Sequence, residues 1–274
     1  MGTIPNERAL RFQELHRRPG LFLIPNPWDA GSARILEALG FEALTTSSAA
    51  FAATLGRRDG RVTRDELLAH LRQIVEATSL PVAADLENGF GDDPDAVAET
   101  IRLAAEAGAV GGSIEDSPRD HDQPPYDLAH ATERVVAAVA AARALPFPFT
   151  LVARTENFVR QHPNLDDTLE RLRAFERAGA DLLFAPGLPD LAAVREVCAA
   201  VSKPVNFMAG IKGKSFSVAE LAAAGVKRIS FAASLYRWAM TGLLNAAREI
   251  KIAGTFTYLE QTITSAELRP FLED

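Results

Sequence analysis

The sequence contains few of the residues or patterns that mark several protein classes. A single cysteine among 274 residues, Cys198, excludes an intramolecular disulfide framework and a cysteine-rich zinc site. The 29 basic residues form no tract and are outnumbered by 36 acidic residues, so we expect no nucleic-acid partner. No apolar run approaches the ~20 residues that span a bilayer. We therefore predict a cytoplasmic protein with no membrane partner.

Short apolar runs recur along the chain at nearly regular intervals. Several of them lack alternation with polar residues, which is typical of parallel strands covered on both faces. Eight strand–helix units in about 250 residues predict a (β/α)8 barrel of the TIM type. A doubly wound nucleotide-binding fold is disfavoured, because no Gly-x-Gly-x-x-Gly motif follows the first run. The runs are residues 21–24, 43–46, 82–85, 110–114, 149–153, 182–185, 205–208 and 229–232.

Amphipathic helical segments separate most of these runs, and no low-complexity linker divides the chain. We therefore predict one domain over residues 1–274, in which 235–274 is a C-terminal helical extension. This extension exceeds what a closed barrel needs and is expected to pack on a neighbouring subunit. The predicted helices between the runs are 64–78, 94–107, 128–144, 165–178, 191–201 and 218–224.

Carboxylates follow two neighbouring runs at the end where barrel enzymes place their active sites. Asp85 and Glu87 follow the third run, and Glu115 ends the fourth. Two negative charges ~4 Å apart repel by about 4 kcal/mol even at an effective dielectric near 20. Three such groups need a shared proton or a cation. The sequence favours a hard divalent ion such as Mg²⁺, with Mn²⁺ as the alternative.

Other polar residues at the same ends suit a small anion rich in oxygen. Arg154 follows the fifth run and can hold a substrate carboxylate through two parallel hydrogen bonds. Ser47 and Ser48 follow the second run and can hold a second carboxylate or an oxyanion. Together with the carboxylates, these residues predict a site for an anion that chelates a metal.

Several short motifs, in their order and spacing, give the chain a family likeness between residues 22 and 247. In these motifs it resembles the isocitrate lyase/phosphoenolpyruvate mutase superfamily. The motifs are Asn26-Pro27-Trp28-Asp29-Ala30, Thr46-Ser47-Ser48, Asp85-Leu86-Glu87-Asn88-Gly89-Phe90-Gly91, Ile114-Glu115-Asp116, Ala153-Arg154-Thr155-Glu156 and Pro204-Val205-Asn206.

The resemblance implies a fold, an assembly and a reaction. The family's barrel exchanges its last helix between subunits, which implies a homodimer or homotetramer. Its members act on α-oxo acids through an enolate that the metal stabilises as a Lewis acid. The resemblance assigns metal ligation to Asp85, the metal's waters to Glu87 and Glu115, and substrate binding to Thr46, Ser47, Ser48, Arg154 and Asn206. Asp59, Arg154 and His121 are the catalytic candidates.

The loop after the fourth run departs from the family pattern. The carbon–carbon lyases carry Lys-Arg/Lys-Cys-Gly-His there, and the cysteine is their general acid. Residues 117–126 contain neither cysteine nor lysine, so either His121, Tyr126 or water protonates the enolate, or the reaction differs. The lyases' glutamate after the sixth strand falls near Pro186.

We predict a magnesium-dependent lyase that acts on an α-oxo or 2-hydroxy di- or tricarboxylate, such as oxaloacetate or a 2-methylisocitrate-like compound. The alternatives are phosphorus–carbon chemistry on phosphonopyruvate and a catalytically weak α-oxo acid binding protein.

Overall fold

Strands and helices alternate along the chain as the apolar runs predict. The structure is a computed structural model that describes residues 4–120 and 122–272. The strands are β1 (Phe22–Ile24), β2 (Leu44–Thr45), β3 (Val82–Asp85), β4 (Gly111–Glu115), β5 (Thr150–Arg154), β6 (Leu182–Phe184), β7 (Val205–Met208) and β8 (Arg228–Ser230). The helices are α1 (Ile4–Arg17), α2 (Ala30–Ala38), α3 (Ser48–Thr54), α4 (Arg64–Ala77), α5 (Pro94–Glu106), α6 (Leu128–Arg143), α7 (Leu165–Arg177), α8 (Leu191–Ala200), α9 (Val218–Ala223), α10 (Ser234–Ala253) and α11 (Ser265–Leu268).

All eight strands are parallel and form one sheet in the order β1-β8-β7-β6-β5-β4-β3-β2. Two hydrogen bonds connect the first and last strands of this order. The Thr45 backbone N–H donates to the Pro25 carbonyl at 3.0 Å, and Asn26 Nδ2 donates to the Thr46 carbonyl at 2.8 Å. The sheet is therefore a nearly closed barrel, and the predicted (β/α)8 fold is confirmed.

Side chains alternate along each strand between the helix layer and the barrel interior. In β5, Leu151 and Ala153 belong to the apolar clusters under the helices. Val152 packs instead with Leu182 and Phe184 inside the barrel. Arg154 is two residues beyond Val152 and therefore points inward as well, at the C-terminal end of the strand. The same alternation directs the polar side chains of the site into the barrel interior.

Helix α1 closes the N-terminal end of the barrel. Phe12 and Ala9 are fully buried and pack in a cluster with residues at the start of several strands, among them Phe22. Gly111 of β4 leaves room for the Phe12 ring, because a Cβ at this glycine would lie 2.8 Å from Phe12 Cε1. This packing leaves the opposite end of the barrel for a site.

The C-terminal segment is helical but packs little against the barrel. No residue of α10 is buried, and Trp238 is 77% exposed. The rest of the segment is α11 and two short 3-10 helices, Thr257–Gln261 and Arg269–Phe271. Within the described residues, no helix has the length and apolar character needed to cross a membrane.

Candidate active site

Residues from the seven strands β2 to β8 and from the segments after β1, β2 and β8 surround one cavity at the C-terminal end of the barrel. Its volume is about 40 Å³, which corresponds to about three water molecules. Several residues that the sequence analysis predicts for the site line this cavity. They are Thr46, Ser47, Asp85, Arg154 and Asn206.

The start of α3 holds the Asp85 carboxylate in place. Its Oδ2 accepts hydrogen bonds from the Ser48 backbone N–H at 3.1 Å and from the Ser48 hydroxyl at 2.9 Å. The Asp85 backbone N–H donates to Thr46 Oγ1 at 2.9 Å. Oδ1 lies 4.0 Å from Arg154 Nη1. Ser48 thus orients a predicted metal ligand, and Oδ1 accepts one long hydrogen bond, from the Glu87 backbone N–H at 3.4 Å.

Glu87 and Glu115 are buried beside Asp85. Arg119 Nε donates to Glu87 Oε2 at 2.8 Å, yet burial raises the pKa of Glu87 to about 7. Arg160 Nη2 donates to Glu115 Oε1 at 3.3 Å. Burial and the neighbouring carboxylates raise the pKa of Glu115 well above its ordinary value. A further positive charge between these groups would stabilise their ionised forms.

A hydrated magnesium ion fits this donor set. Within residues 4–120 and 122–272, no three acidic, histidine or cysteine side chains enclose a metal ion by themselves. Magnesium keeps several of its waters, however, and needs only one or two carboxylates as direct ligands. Asp85 would supply one oxygen ligand, and Glu87 and Glu115 would accept hydrogen bonds from the waters of the ion.

Arg154 is already surrounded by carboxylates. Its Nε donates to Glu156 Oε1, and its Nη1 lies 3.7 Å from Glu115 Oε2. Although burial opposes the charge, Glu156, Glu115 and Asp85 raise the pKa of Arg154. Its guanidinium also lies over the Phe184 ring, 5.2 Å from the centroid. The protein itself therefore balances much of the charge of Arg154.

The other predicted residues occupy different places around the site. Asn206 Nδ2 donates to Ser230 Oγ at 3.0 Å within the cavity wall. Asp59 lies outside the cavity lining but close enough to contribute to the raised pKa of Glu87. His121 lies outside the described residues. Tyr126 Oη donates to Asp92 Oδ1 at 2.5 Å and does not line the cavity.

Three arginines of the site are missing from the sequence predictions. Arg119 pairs with Glu87, and Arg228 lines the cavity. Arg160 is buried and donates to the carbonyls of Pro118 at 2.8 Å and Asp120 at 3.1 Å. Arg160 thereby connects Glu115 to the loop after β4. Of these three arginines, only Arg119 has a signal in the sequence that could have identified it, because it follows Glu115 by four residues.

A wider opening of about 660 Å³ lies at the other end of the barrel, between α1 and the loop that follows α6. Its acidic lining residue, Asp181, already pairs with Arg143 at 2.6 Å. The smaller cavity is the candidate active site, because Asp85, two arginines and several hydroxyls converge there.

Comparisons with known proteins agree with the fold and identify the family. The family model described as phosphoenolpyruvate phosphomutase matches residues 12–251. The 2-methylisocitrate lyase of Aeropyrum pernix is 30% identical over 264 residues, covering 92% of this chain and 82% of that enzyme. The oxaloacetate decarboxylase of Bradyrhizobium diazoefficiens is 34% identical over 202 residues, covering 72% of this chain and 69% of that enzyme.

A solved structure is more similar still. The crystal structure of a lyase/mutase candidate from Burkholderia cenocepacia J2315 superimposes with a TM-score of 0.96 at 51% identity. The superposition covers 98% of this chain and 97% of that chain. The resemblance found in the short motifs therefore extends over nearly the whole chain.

Proposed function

We propose a substrate class from one premise: the chain belongs to the isocitrate lyase/phosphoenolpyruvate mutase superfamily and is a carbon–carbon lyase. The substrate that we propose is a short α-oxo dicarboxylate of the oxaloacetate type. The reaction breaks the bond between C3 and the distal carboxylate, whose electron pair passes toward the α-oxo group. A proton then adds at C3, which yields pyruvate and carbon dioxide.

The observation that carries this proposal is a cavity of about 40 Å³ in which Asp85 and Arg154 lie side by side. Together they offer a metal ligand and a cation to one α-oxo acid. The relative from Bradyrhizobium diazoefficiens, which is named for oxaloacetate, supports the same choice.

The residues of the site have different roles in the proposed reaction. Asp85, Glu87 and Glu115 would hold a hydrated magnesium or manganese ion, which would supply a Lewis acid for the α-oxo group. Ser48 fixes the orientation of Asp85, and Arg160 fixes the loop after β4 beside Glu115.

The proton donor differs from the cysteine of the family's lyases. Tyr126 is a poor candidate, because burial raises its pKa to about 12 and its hydroxyl already donates to Asp92. We therefore assign the proton to His121 of the same loop or to a water molecule beside Asp59.

The first test measures oxaloacetate decarboxylation with added magnesium and with EDTA. We expect turnover that depends on the metal and that falls by about 100-fold or more in Asp85→Asn, because the metal stabilises developing charge by several kcal/mol. The matched control is Asp93→Asn, since Asp93 is exposed and makes no side-chain cap hydrogen bond.

Two results would contradict the proposal. One is full activity of Asp85→Asn in EDTA, which would remove the metal from the reaction. The other is release of phosphate from phosphonopyruvate with no turnover of oxaloacetate, which would establish phosphorus–carbon chemistry. Magnesium-dependent binding of α-oxo acids with no turnover would instead indicate a binding protein.

A further inference from the structure

Arg228 is a buried cation inside the barrel that the proposed reaction does not yet use. It opens β8, and its neighbour Ile229 belongs to the apolar cluster under the helices. Alternation along the strand therefore turns Arg228 and Ser230 inward, where both line the active-site cavity. Arg228 is only 4% exposed.

The protein provides little to balance the charge of Arg228. Its Nε donates to Asn206 Oδ1 at 2.7 Å, whereas its buried Nη1 has no hydrogen-bond partner. Among the residues that the structure describes, no aspartate or glutamate forms an ion pair with it. Burial without an opposing charge lowers the pKa of Arg228 to about 9. Buried charges in proteins are normally paired, so this arrangement favours an anionic ligand as the partner of Arg228.

The two arginines of the cavity differ in this respect. Arg154 is surrounded by three carboxylates, and its positive charge is directed at the protein and the proposed metal. Arg228 is the cavity cation that has no carboxylate beside it. Arg228 therefore offers an anion in the cavity a positive charge that the protein leaves unbalanced.

Strand register places the two arginines on opposite sides of one short space. Arg154 pairs with Phe184, Phe184 with Asn206, and Asn206 with Arg228. These steps put Arg154 and Arg228 three strands apart, about 14 Å along the sheet and less across the barrel. Both side chains point into that space. A short molecule with an anionic group at each end suits it.

We propose that Arg228, together with Asn206 and Ser230, binds the distal carboxylate of the substrate. This inference rests on the proposed function and identifies the residues that select a dicarboxylate over a monocarboxylate. A guanidinium donates to a carboxylate through two N–H groups in a fixed plane. Ser230 Oγ accepts from Asn206 Nδ2 at 3.0 Å and retains its own hydrogen as a donor.

The test compares two ligands that differ in the distal carboxylate. 3,3-Difluorooxaloacetate and pyruvate are titrated by calorimetry into the wild type and Arg228→Met in the presence of magnesium. Loss of one or two hydrogen bonds to a charged group weakens binding by about 10- to 100-fold. We expect this loss for the dicarboxylate and a change within about twofold for pyruvate, which lacks the distal group. Arg143→Met, at the opposite end of the barrel, is the control and should change neither affinity.

The outcomes separate this inference from the proposed function. If the wild type binds both ligands but Arg228→Met binds the dicarboxylate as tightly as before, the role of Arg228 is refuted and the function stands. Equal weakening of both ligands also refutes it. If the wild type binds neither ligand, the proposed function fails. Should Arg228→Met not fold, Arg228→Lys serves, with a smaller but still selective loss because lysine lacks the planar fork.

Discussion

Arg160 shows how single residues join separate parts of the site. Its guanidinium contacts the Glu115 carboxylate, and it also donates to two carbonyls of the loop after β4. The Arg160 side chain is only 2% exposed, and Glu115 is also buried. Removal of this arginine would leave a buried carboxylate with one fewer partner and a loop without its anchor.

We expect Arg160→Met to destabilise the protein by about 3–5 kcal/mol, because breaking one side of a buried ion pair leaves an uncompensated charge. Urea unfolding would measure the change in free energy. The control is Arg102→Met, which removes a guanidinium paired with Glu99 and Glu106 on the exposed face of α5. This control should unfold almost as the wild type does. Equal midpoints for the two variants would show that Arg160 is not a structural link.

Which site residues could be predicted depends on how far apart in the sequence the interacting residues lie. Asp85 and Glu115 could be predicted, because each ends an apolar run that forms a strand. Arg160 could not, because it lies 45 residues from Glu115 in a turn without a strand pattern. Arg228 directly precedes the predicted run 229–232 and follows Lys227, so the pair resembles two solvated charges. The structure shows that Arg228 starts the buried strand instead.

The strands and helices follow from local chemistry more directly than the site does. The predicted helix at 64–78 corresponds to α4, which begins with Thr63 and Glu66 bonded reciprocally to each other's backbone. The helix at 94–107 corresponds to α5, where Asp93 is the N-cap without a side-chain hydrogen bond and Pro94 is the first residue. Short strands separated by such signals make the barrel predictable. The packing position of α1 could not be predicted, because its contacts lie on strands far along the chain.

The contact between α1 and β4 gives a prediction for these two elements. A Cβ at Gly111 would lie 2.8 Å from Phe12 Cε1 and 2.8 Å from the Thr150 carbonyl oxygen. We expect Gly111→Ala to lower stability by about 1–3 kcal/mol, because the strand or the helix must shift. Thermal unfolding followed by circular dichroism would measure the loss.

Gly31→Ala is the matched control for this substitution. Its Cβ would meet only Asp29 Oδ1, at an ordinary contact distance of 3.7 Å. Because alanine favours a helix over glycine by about 1 kcal/mol, this variant should be as stable as the wild type or more so. If Gly111→Ala matched Gly31→Ala in melting temperature, the close packing of α1 on β4 would be refuted.

At the scale of the whole molecule, the barrel and the C-terminal segment differ in how much of their apolar surface is exposed. The barrel buries its apolar residues between strands and helices, whereas the segment from residue 234 onward exposes many of its own. Contiguous exposed apolar surface in a soluble protein usually marks an interface. The exposed large apolar residues of this segment are Trp238, Leu243, Leu244, Ile250, Ile252, Phe256, Leu259, Ile263 and Leu272.

This surface supports the prediction of a homodimer or homotetramer in which α10 packs on a second copy of the chain. We expect light scattering after size exclusion to give two or four times the chain mass of 29.5 kDa. Trp238→Lys should reduce that mass at micromolar concentration, because a charge would replace an indole that the partner buries. Val136→Lys, at an exposed position on α6, should leave it unchanged. A wild-type mass of one chain would exclude this assembly and leave the apolar surface of α10 for a different protein.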